Sequence, residues 1–133
     1  VPAARKLLDE ADRILGFPLS KIISEGPEAD LTRTDISQPA ILVASLMSLE
    51  ALRAKTSPVF TATAGLSLGE YTALVVAAAL PFADAVHLVR IRGQPRPAGN
   101  RRGQVYRVRA RVLEVGLELP TIRGRGLVLQ RSP

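Results

Sequence analysis

The stretch Gly65-Leu66-Ser67-Leu68-Gly69 decides how the rest of the chain is interpreted. Before it, Pro58-Val59-Phe60-Thr61-Ala62-Thr63-Ala64 is short and rich in β-branched and aromatic residues, which predicts a buried strand. After it, Leu68 to Leu80 has the length and composition of a helix, and Glu70 lies in the first turn, where a carboxylate suits the positive end of the helix dipole. The sequence therefore predicts a strand, a tight turn at Ser67, and a helix.

A Gly-x-Ser-x-Gly sequence between a strand and a helix is typical of a nucleophile elbow. The glycines, Gly65 and Gly69, let the backbone turn sharply, so that the Ser67 hydroxyl is exposed at the strand end. The N–H of Leu68 then points toward the position where an oxyanion would form during attack on a carbonyl group. The alternative is a tight strand-to-helix turn whose serine has no chemical role.

Four further segments have helical patterns, and each has a local signal for a helix start or end; for the second it is the break at Glu25-Gly26-Pro27. They are Ala4 to Leu15, Leu19 to Ser24, Asp35 or Ser37 to about Arg53, and Phe82 to Arg92. Gly16 is placed to end the first helix. Asp35 or Ser37 is predicted to cap the long helix, and Pro39 then fits its first turn, where no backbone N–H donor is needed. Pro81 likewise suits the start of the last helix.

Charge divides the chain near residue 94. The formal net charge is +6, of which residues 1–94 contribute −1 and residues 95–133 contribute +7. The tail begins with the linker-like sequence Pro95-Arg96-Pro97-Ala98-Gly99, and its apolar and Arg residues alternate from Tyr106 to Val112, which predicts one half-buried strand in an otherwise irregular basic tail. The arginines come without a recognisable nucleic-acid-binding module, so nucleic acid is not the expected partner.

Three motifs in the same order resemble the malonyl-CoA:acyl-carrier-protein transacylases of fatty-acid synthesis. The first is Ser37-Gln38-Pro39-Ala40-Ile41, and the second is Gly65-Leu66-Ser67-Leu68-Gly69-Glu70-Tyr71-Thr72-Ala73-Leu74. The third combines Phe82-Ala83-Asp84-Ala85 with Leu88-Val89-Arg90-Ile91-Arg92-Gly93. The resemblance covers roughly residues 5 to 94.

This resemblance implies an α/β fold with a partial α/β-hydrolase-like acyltransferase core. In the family a parallel sheet is flanked by helices and carries a smaller inserted subdomain. Residues 1–94 are expected to form the N-terminal part of the large subdomain, and residues 95–133 a basic Arg/Gly/Pro-rich tail of no recognised family. A splice product, a frameshift or an erroneous gene model would explain the abrupt change of character after Gln94.

The resemblance also assigns chemistry to individual residues. Ser67 corresponds to the nucleophile, which takes a malonyl group from coenzyme A as an ester and passes it to the phosphopantetheine thiol of an acyl carrier protein. The backbone N–H of Leu68 corresponds to one oxyanion donor. Arg92 corresponds to the arginine that holds the malonyl carboxylate, and its planar fork can form two parallel hydrogen bonds with such a group. Without the resemblance, Arg92 would be interpreted as a solvated arginine at a helix C-terminus.

The chain lacks an obvious base for the serine. Its only histidine is His87, which is five residues before Arg92 and therefore lies about 140° away from it around a helix. A surface or packing role is expected for His87, because the family's base lies beyond residue 94. A second oxyanion donor of the family, in a Gly-Gln-Gly segment, would precede Val1. We therefore expect a truncated or mis-joined chain with negligible transacylation by itself.

Two other classes stay open: an esterase fragment of the α/β-hydrolase type, and a non-catalytic truncated binding protein. An acyltransferase domain of a polyketide synthase is a close relative that the sequence does not exclude. The expected partners are malonyl-CoA and acyl carrier protein, with no cofactor and no metal. The chain has no cysteine and no long apolar run, so disulfides and a membrane span are not expected. The expected compartment is the cytoplasm or the matrix of a plastid or mitochondrion, without secretion.

Overall fold

The computed structural model describes residues 1–95 with their side chains, and the backbone of residues 117–118 and 126–131. Six helices and three strands occur in these ranges. In chain order they are α1 (Pro2–Leu15), α2 (Leu19–Glu25), α3 (Glu28–Leu31), α4 (Thr34–Arg53), β1 (Ala62–Leu66), α5 (Leu68–Val76), α6 (Phe82–Gly93), β2 (Leu117–Glu118) and β3 (Gly126–Arg131). The mostly helical character predicted for residues 1–94 is confirmed. The alternating segment Tyr106 to Val112 lies outside the described residues.

The predicted end of α1 is confirmed at Gly16. This glycine has φ 73°, in the left-handed region, and its N–H donates to the Asp12 carbonyl at 3.0 Å. The Asp12 carboxylate reaches forward into α2, where Oδ1 accepts from the Ser20 backbone N–H at 2.8 Å and Oδ2 accepts from the Ser20 hydroxyl at 2.5 Å. One aspartate near the end of α1 thus satisfies a donor in the first turn of α2, because the first N–H groups of a helix have no partner within it.

The core lies between α4 and the helices α1, α5 and α6. Its fully buried large side chains are Leu19, Pro39, Leu42, Val43, Val86 and Val89. The buried positions of α1 are Ala4, Leu8 and Ala11, which recur at intervals of three and four residues as expected for one face of a helix. The long helix α4 is therefore the element against which the other helices pack.

The start of α4 differs from the prediction. The helix begins at Thr34 after Arg33, which has extended backbone angles and no side-chain capping bond. Neither Asp35 nor Ser37 is the cap, because the carboxylate of Asp35 is turned into ion pairs with Arg33 at 3.1 Å and Arg90 at 2.7 Å. Pro39 consequently lies in the second turn and inside the helix.

The second half of the predicted elbow helix is also different. The helix α5 ends at Val76, and Ala78 has φ 57°, a left-handed conformation that a helix cannot contain. The N–H groups of Ala79 and Leu80 both donate to the Leu74 carbonyl, so the chain folds back on the end of α5. Ala79 and Leu80 are buried in the core. Pro81 then precedes α6 as its N-cap residue, one position before the first turn.

The strand and its sheet correct four expectations. The strand β1 begins at Ala62 instead of Pro58, and it is not buried, since its residues alternate between exposed and half-buried. It pairs antiparallel with β3, with Ala64 opposite Val128, and β3 pairs antiparallel with β2. The expectation of an irregular tail is therefore wrong at Gly126–Arg131, because the edge of β1 pairs with this distant segment. Among the described residues the sheet is antiparallel, not the parallel sheet that the resemblance implied.

Candidate active site

The turn between β1 and α5 exposes Ser67. This residue is the N-cap of α5 and has φ 58° and ψ −110°, an unusual conformation for a residue with a side chain. Such a conformation costs on the order of 1–3 kcal/mol and persists only where surrounding contacts enforce it. The serine is exposed. The position of the hydroxyl is thus the one expected for a nucleophile elbow.

Two contacts enforce this turn. Glu70, in the first turn of α5, accepts a hydrogen bond from the Ser67 backbone N–H through Oε1 at 3.0 Å. Gly65 comes so close to the start of α5 that a Cβ atom there would lie 2.0 Å from the Gly69 carbonyl oxygen. The site of a Cβ atom at Gly69 is open, with no atom within 4 Å. The two glycines of the motif therefore differ, because only Gly65 is required by the close approach.

Arg92 joins the turn from α6. Its Nη2 donates to the Ser67 Oγ at 2.5 Å, and its Nη1 donates to the Gln38 Oε1 at 2.6 Å. Gln38 lies in α4, so one guanidinium connects three elements: α4, α6 and the turn before α5. The structure thus brings together Ser67 and Arg92, the two side chains that the sequence singled out. Gln38 was quoted there only as part of a motif, and its contact with Arg92 has no local sequence signal.

Gly93 explains how Arg92 comes so near to α4. A Cβ atom at Gly93 would lie 2.3 Å from the Thr34 carbonyl oxygen and 2.7 Å from the Asp35 Cα. The last turn of α6 therefore touches the first turn of α4 backbone to backbone, and only glycine allows this approach.

The charge of Arg92 is not compensated by an acidic partner within residues 1–95. Its two hydrogen-bond partners, an amide and a hydroxyl, are both neutral, and none of the salt bridges in this part of the chain includes it. Arg90, by contrast, is paired with Asp35. A positive charge next to an exposed hydroxyl is an arrangement that favours an anionic ligand.

The remaining predicted residues have simpler settings. Leu68 is the first residue of α5, and the first N–H groups of a helix have no acceptor within it, so its N–H suits an oxyanion. His87 is exposed on α6 and makes no hydrogen bond with Ser67. No cluster of metal-binding side chains occurs among the described residues, and no helix in them is long and apolar enough to cross a membrane.

An open groove of about 380 Å³ lies beside this site and shares Gly69 with it. It is bordered by Ser45 and Leu49 of α4, by Phe60 and β1, and by Thr72 and Val76 of α5. Neither Ser67 nor Arg92 lines it.

The sequence pattern of the acyl transferase domain family matches residues 2–108. The chain belongs to this family. Among similar acyl transferases, the malonyl CoA-acyl carrier protein transacylase of Bacillus subtilis is 52% identical over 95 residues, which are 71% of this chain and 29% of that protein. The human mitochondrial malonyl-CoA-acyl carrier protein transacylase is 42% identical over 96 residues, 70% of this chain and 25% of that protein. The chain thus spans less than a third of the length of these relatives.

Solved acyl transferase structures agree with this assignment. The malonyl CoA-acyl carrier protein transacylase of Coxiella burnetii superposes with a TM-score of 0.65 at 36% identity, over 71% of this chain and 30% of that structure. A malonyl-transacylase solved in complex with a type II polyketide acyl-carrier protein gives a TM-score of 0.62 at 35% identity, over 70% and 30% of the two chains. The superposed 70% of this chain therefore shares the fold of one portion of these enzymes.

Proposed function

We propose that this chain provides the nucleophile and the carboxylate-binding arginine of a malonyl-CoA:acyl-carrier-protein transacylase in fatty-acid biosynthesis. The observation that carries the proposal is the 2.5 Å contact between Arg92 Nη2 and Ser67 Oγ. Arg92 has no acidic partner among residues 1–95 and lies next to the Ser67 hydroxyl, so it is suited to an acyl group that ends in a carboxylate. The curated relatives bear the name of this activity, and the chain covers less than a third of them.

In the proposed first step, Ser67 Oγ forms a bond to the thioester carbonyl carbon, and the bond from that carbon to the coenzyme A sulfur breaks. The hydroxyl proton passes to a base and from the base to the coenzyme A sulfur, which leaves as a thiol. In the second step the phosphopantetheine sulfur forms a bond to the ester carbonyl carbon and the bond from that carbon to Ser67 Oγ breaks. The phosphopantetheine thiol proton passes through the base to Oγ, which regenerates the hydroxyl. The N–H of Leu68 stabilises the oxyanion in both steps, and one such donor lowers the barrier by about 3 kcal/mol. We assign the base to a part of the longer family chains that lies outside the described residues.

Arg92 has two functions in this proposal. Its contact with Ser67 holds the hydroxyl oxygen in place, and a guanidinium has more N–H donors than the two used for Ser67 and Gln38. The remaining donors are available to the malonyl carboxylate, which leaves the thioester carbon near the hydroxyl. One side chain thus orients both the nucleophile and the substrate.

The wider setting of the site belongs to the same proposal. An α/β-hydrolase-like arrangement is proposed for the longer family chains, although the sheet of the described residues is antiparallel. Acyl carrier protein is the proposed acceptor, because a related malonyl-transacylase was solved in complex with an acyl-carrier protein. The cytoplasm or an organelle matrix is the proposed compartment, because relatives include bacterial and mitochondrial proteins by name.

Binding of malonyl-pantetheine and acetyl-pantetheine tests the proposal, because the two thioesters differ only in the carboxylate. We expect the chain to bind the malonyl thioester about tenfold more tightly or better, since a hydrogen-bonded charge pair contributes about 1.5–3 kcal/mol. The preference should disappear in Arg92→Ala and persist in Arg53→Ala, a control at the far end of α4. Equal affinity of the unchanged chain for both thioesters would favour the esterase alternative, since an uncharged acyl group does not call for Arg92.

A further inference from the structure

A second arginine of α6, Arg90, contacts the first turn of α4. Arg90 Nη1 lies 2.7 Å from the Asp35 Oδ2, and Asp35 is only 7% exposed. The guanidinium carbon of Arg90 also lies 5.0 Å from the centre of the Phe17 ring, in the connection between α1 and α2. Arg33 completes the group by donating to both oxygens of the Asp35 carboxylate, from Nε to Oδ1 at 3.3 Å and from Nη2 to Oδ2 at 3.1 Å. The buried carboxylate is therefore neutralised by two arginines, and a buried charge requires such partners.

Arg90 makes a second bond that depends on a proline. Its Nη1 donates to the backbone carbonyl of Asp35 at 2.6 Å. In a regular helix this carbonyl would accept from the N–H of the residue four positions later, which is Pro39 and has no N–H. The arginine thus supplies a donor that the helix cannot provide. This bond offsets one cost of a proline inside α4, the missing hydrogen bond to the Asp35 carbonyl.

These contacts hold the same two turns that carry the candidate active site. On α6, Arg90 and Arg92 are two residues apart and point to different sides of the helix. On α4, Asp35 and Gln38 are their respective partners. Because Gly93 leaves no space between the two backbones, a shift of the last turn of α6 would move Arg92 directly.

We propose that Arg90 is a positioning residue: through Asp35 and the carbonyl made available by Pro39, it fixes Arg92 at the distance from Ser67 that malonyl binding requires. The inference rests on the proposed function, because Arg92 is there the carboxylate-binding group. It also assigns different tasks to two neighbouring arginines. Asp35 neutralises Arg90, whereas Arg92 has no acidic partner among residues 1–95 and is available to the substrate.

The test compares Arg90→Met, which keeps the apolar stem, with Arg53→Met as the matched control. Arg53 forms a 2.7 Å salt bridge with Glu50 near the C-terminal end of α4, away from Ser67. We expect Arg90→Met to weaken binding of malonyl-pantetheine about tenfold, because misplacing a binding group by about 1 Å has effects of this order or larger. Binding of acetyl-pantetheine should be unchanged, and Arg90→Lys should recover part of the loss because it keeps the charge next to Asp35.

A structural readout separates this inference from the proposed function. The side-chain N–H signals of Arg92 in NMR spectra should shift in Arg90→Met, without any ligand, and stay unchanged in Arg53→Met. If Arg92→Met removes the malonyl preference while Arg90→Met behaves like Arg53→Met, the positioning role is wrong and the proposed function stands. If Arg92→Met does not change the binding of either thioester, the proposed function fails. The Arg92 signals in Arg90→Met still show in that case whether Arg90 positions Arg92.

Circular dichroism shows whether each variant folds. Should Arg90→Met fail to fold, Asp35→Asn provides the same test, because it removes the charge that holds Arg90 and keeps the shape of the side chain. Arg92 signals in Asp35→Asn that match those of the unchanged chain would overturn the positioning role. Shifted signals with an intact helical spectrum would support it.

Discussion

Replacing each glycine of the elbow by alanine should have opposite effects on stability. In Gly65→Ala the added Cβ atom would meet the carbonyl oxygen and carbon of Gly69 at 2.0 and 2.1 Å. Ordinary contacts begin near 3.4 Å, so α5 would have to move by more than about 1 Å away from β1. The obstacle is backbone, which cannot rotate away as a side chain can. We expect a loss of about 3 kcal/mol or more, the upper range for overpacking.

In Gly69→Ala the same methyl group enters open space in the first turn of a helix. Alanine is favoured over glycine in a helix by about 1 kcal/mol, so this variant should be slightly more stable than the unchanged chain. The two variants should thus differ by about 4 kcal/mol in the free energy of unfolding, measured by urea denaturation followed by circular dichroism. Equal midpoints for the two variants would refute the close approach of Gly65 to α5.

Three further outcomes are expected at the same turn. Ser67→Gly should raise the free energy of unfolding by about 1 kcal/mol in thermal melts, because glycine adopts φ 58° without strain, and it should abolish any malonyl ester detected by mass spectrometry. Glu70→Ala should lower the free energy of unfolding by about 1 kcal/mol, and Glu70→Gln should lower it by less because glutamine keeps an acceptor for the Ser67 N–H. Equal losses of stability in the two variants would contradict this capping role. Transfer of malonyl groups from coenzyme A to carrier protein by this chain alone should not exceed that of Ser67→Ala, and a clear excess in a radiolabel assay would show that the chain supplies its own base.

Local sequence signals predicted much of the fold. The order of the other helices and the position of the elbow follow from periodicity, glycines and prolines, and Gly16 is left-handed at the end of α1 as expected. The four-residue helix α3 was not predicted. The end of α5 was predicted four residues too late. The run from Ala77 to Leu80 is apolar because it returns to the core, and composition does not distinguish such a run from one more turn of helix.

Interactions between distant residues account for the features that were missed. Aspartate is a common helix-capping residue, but Asp35 does not cap α4 because its carboxylate pairs with Arg90, a residue 55 positions later. The pairing of β1 with β3 likewise joins residues 60 to 68 positions apart. The contact between Ser67 and Arg92 could be anticipated only through the resemblance, because spacing along the chain does not bring the two elements together. The domain boundary at residue 94 stays a prediction.

The contact between Arg90 and the Asp35 carbonyl makes the effect of a substitution at position 90 depend on the residue at position 39. Loss of Arg90 alone would leave the Asp35 carbonyl without this donor, because Pro39 has no N–H group to replace it. An ordinary amino acid at position 39 would restore the helical N–H and recover this one bond, although not the ion pair with the Asp35 carboxylate. Inherited loss of Arg90 should accordingly be tolerated better in chains that have also lost Pro39.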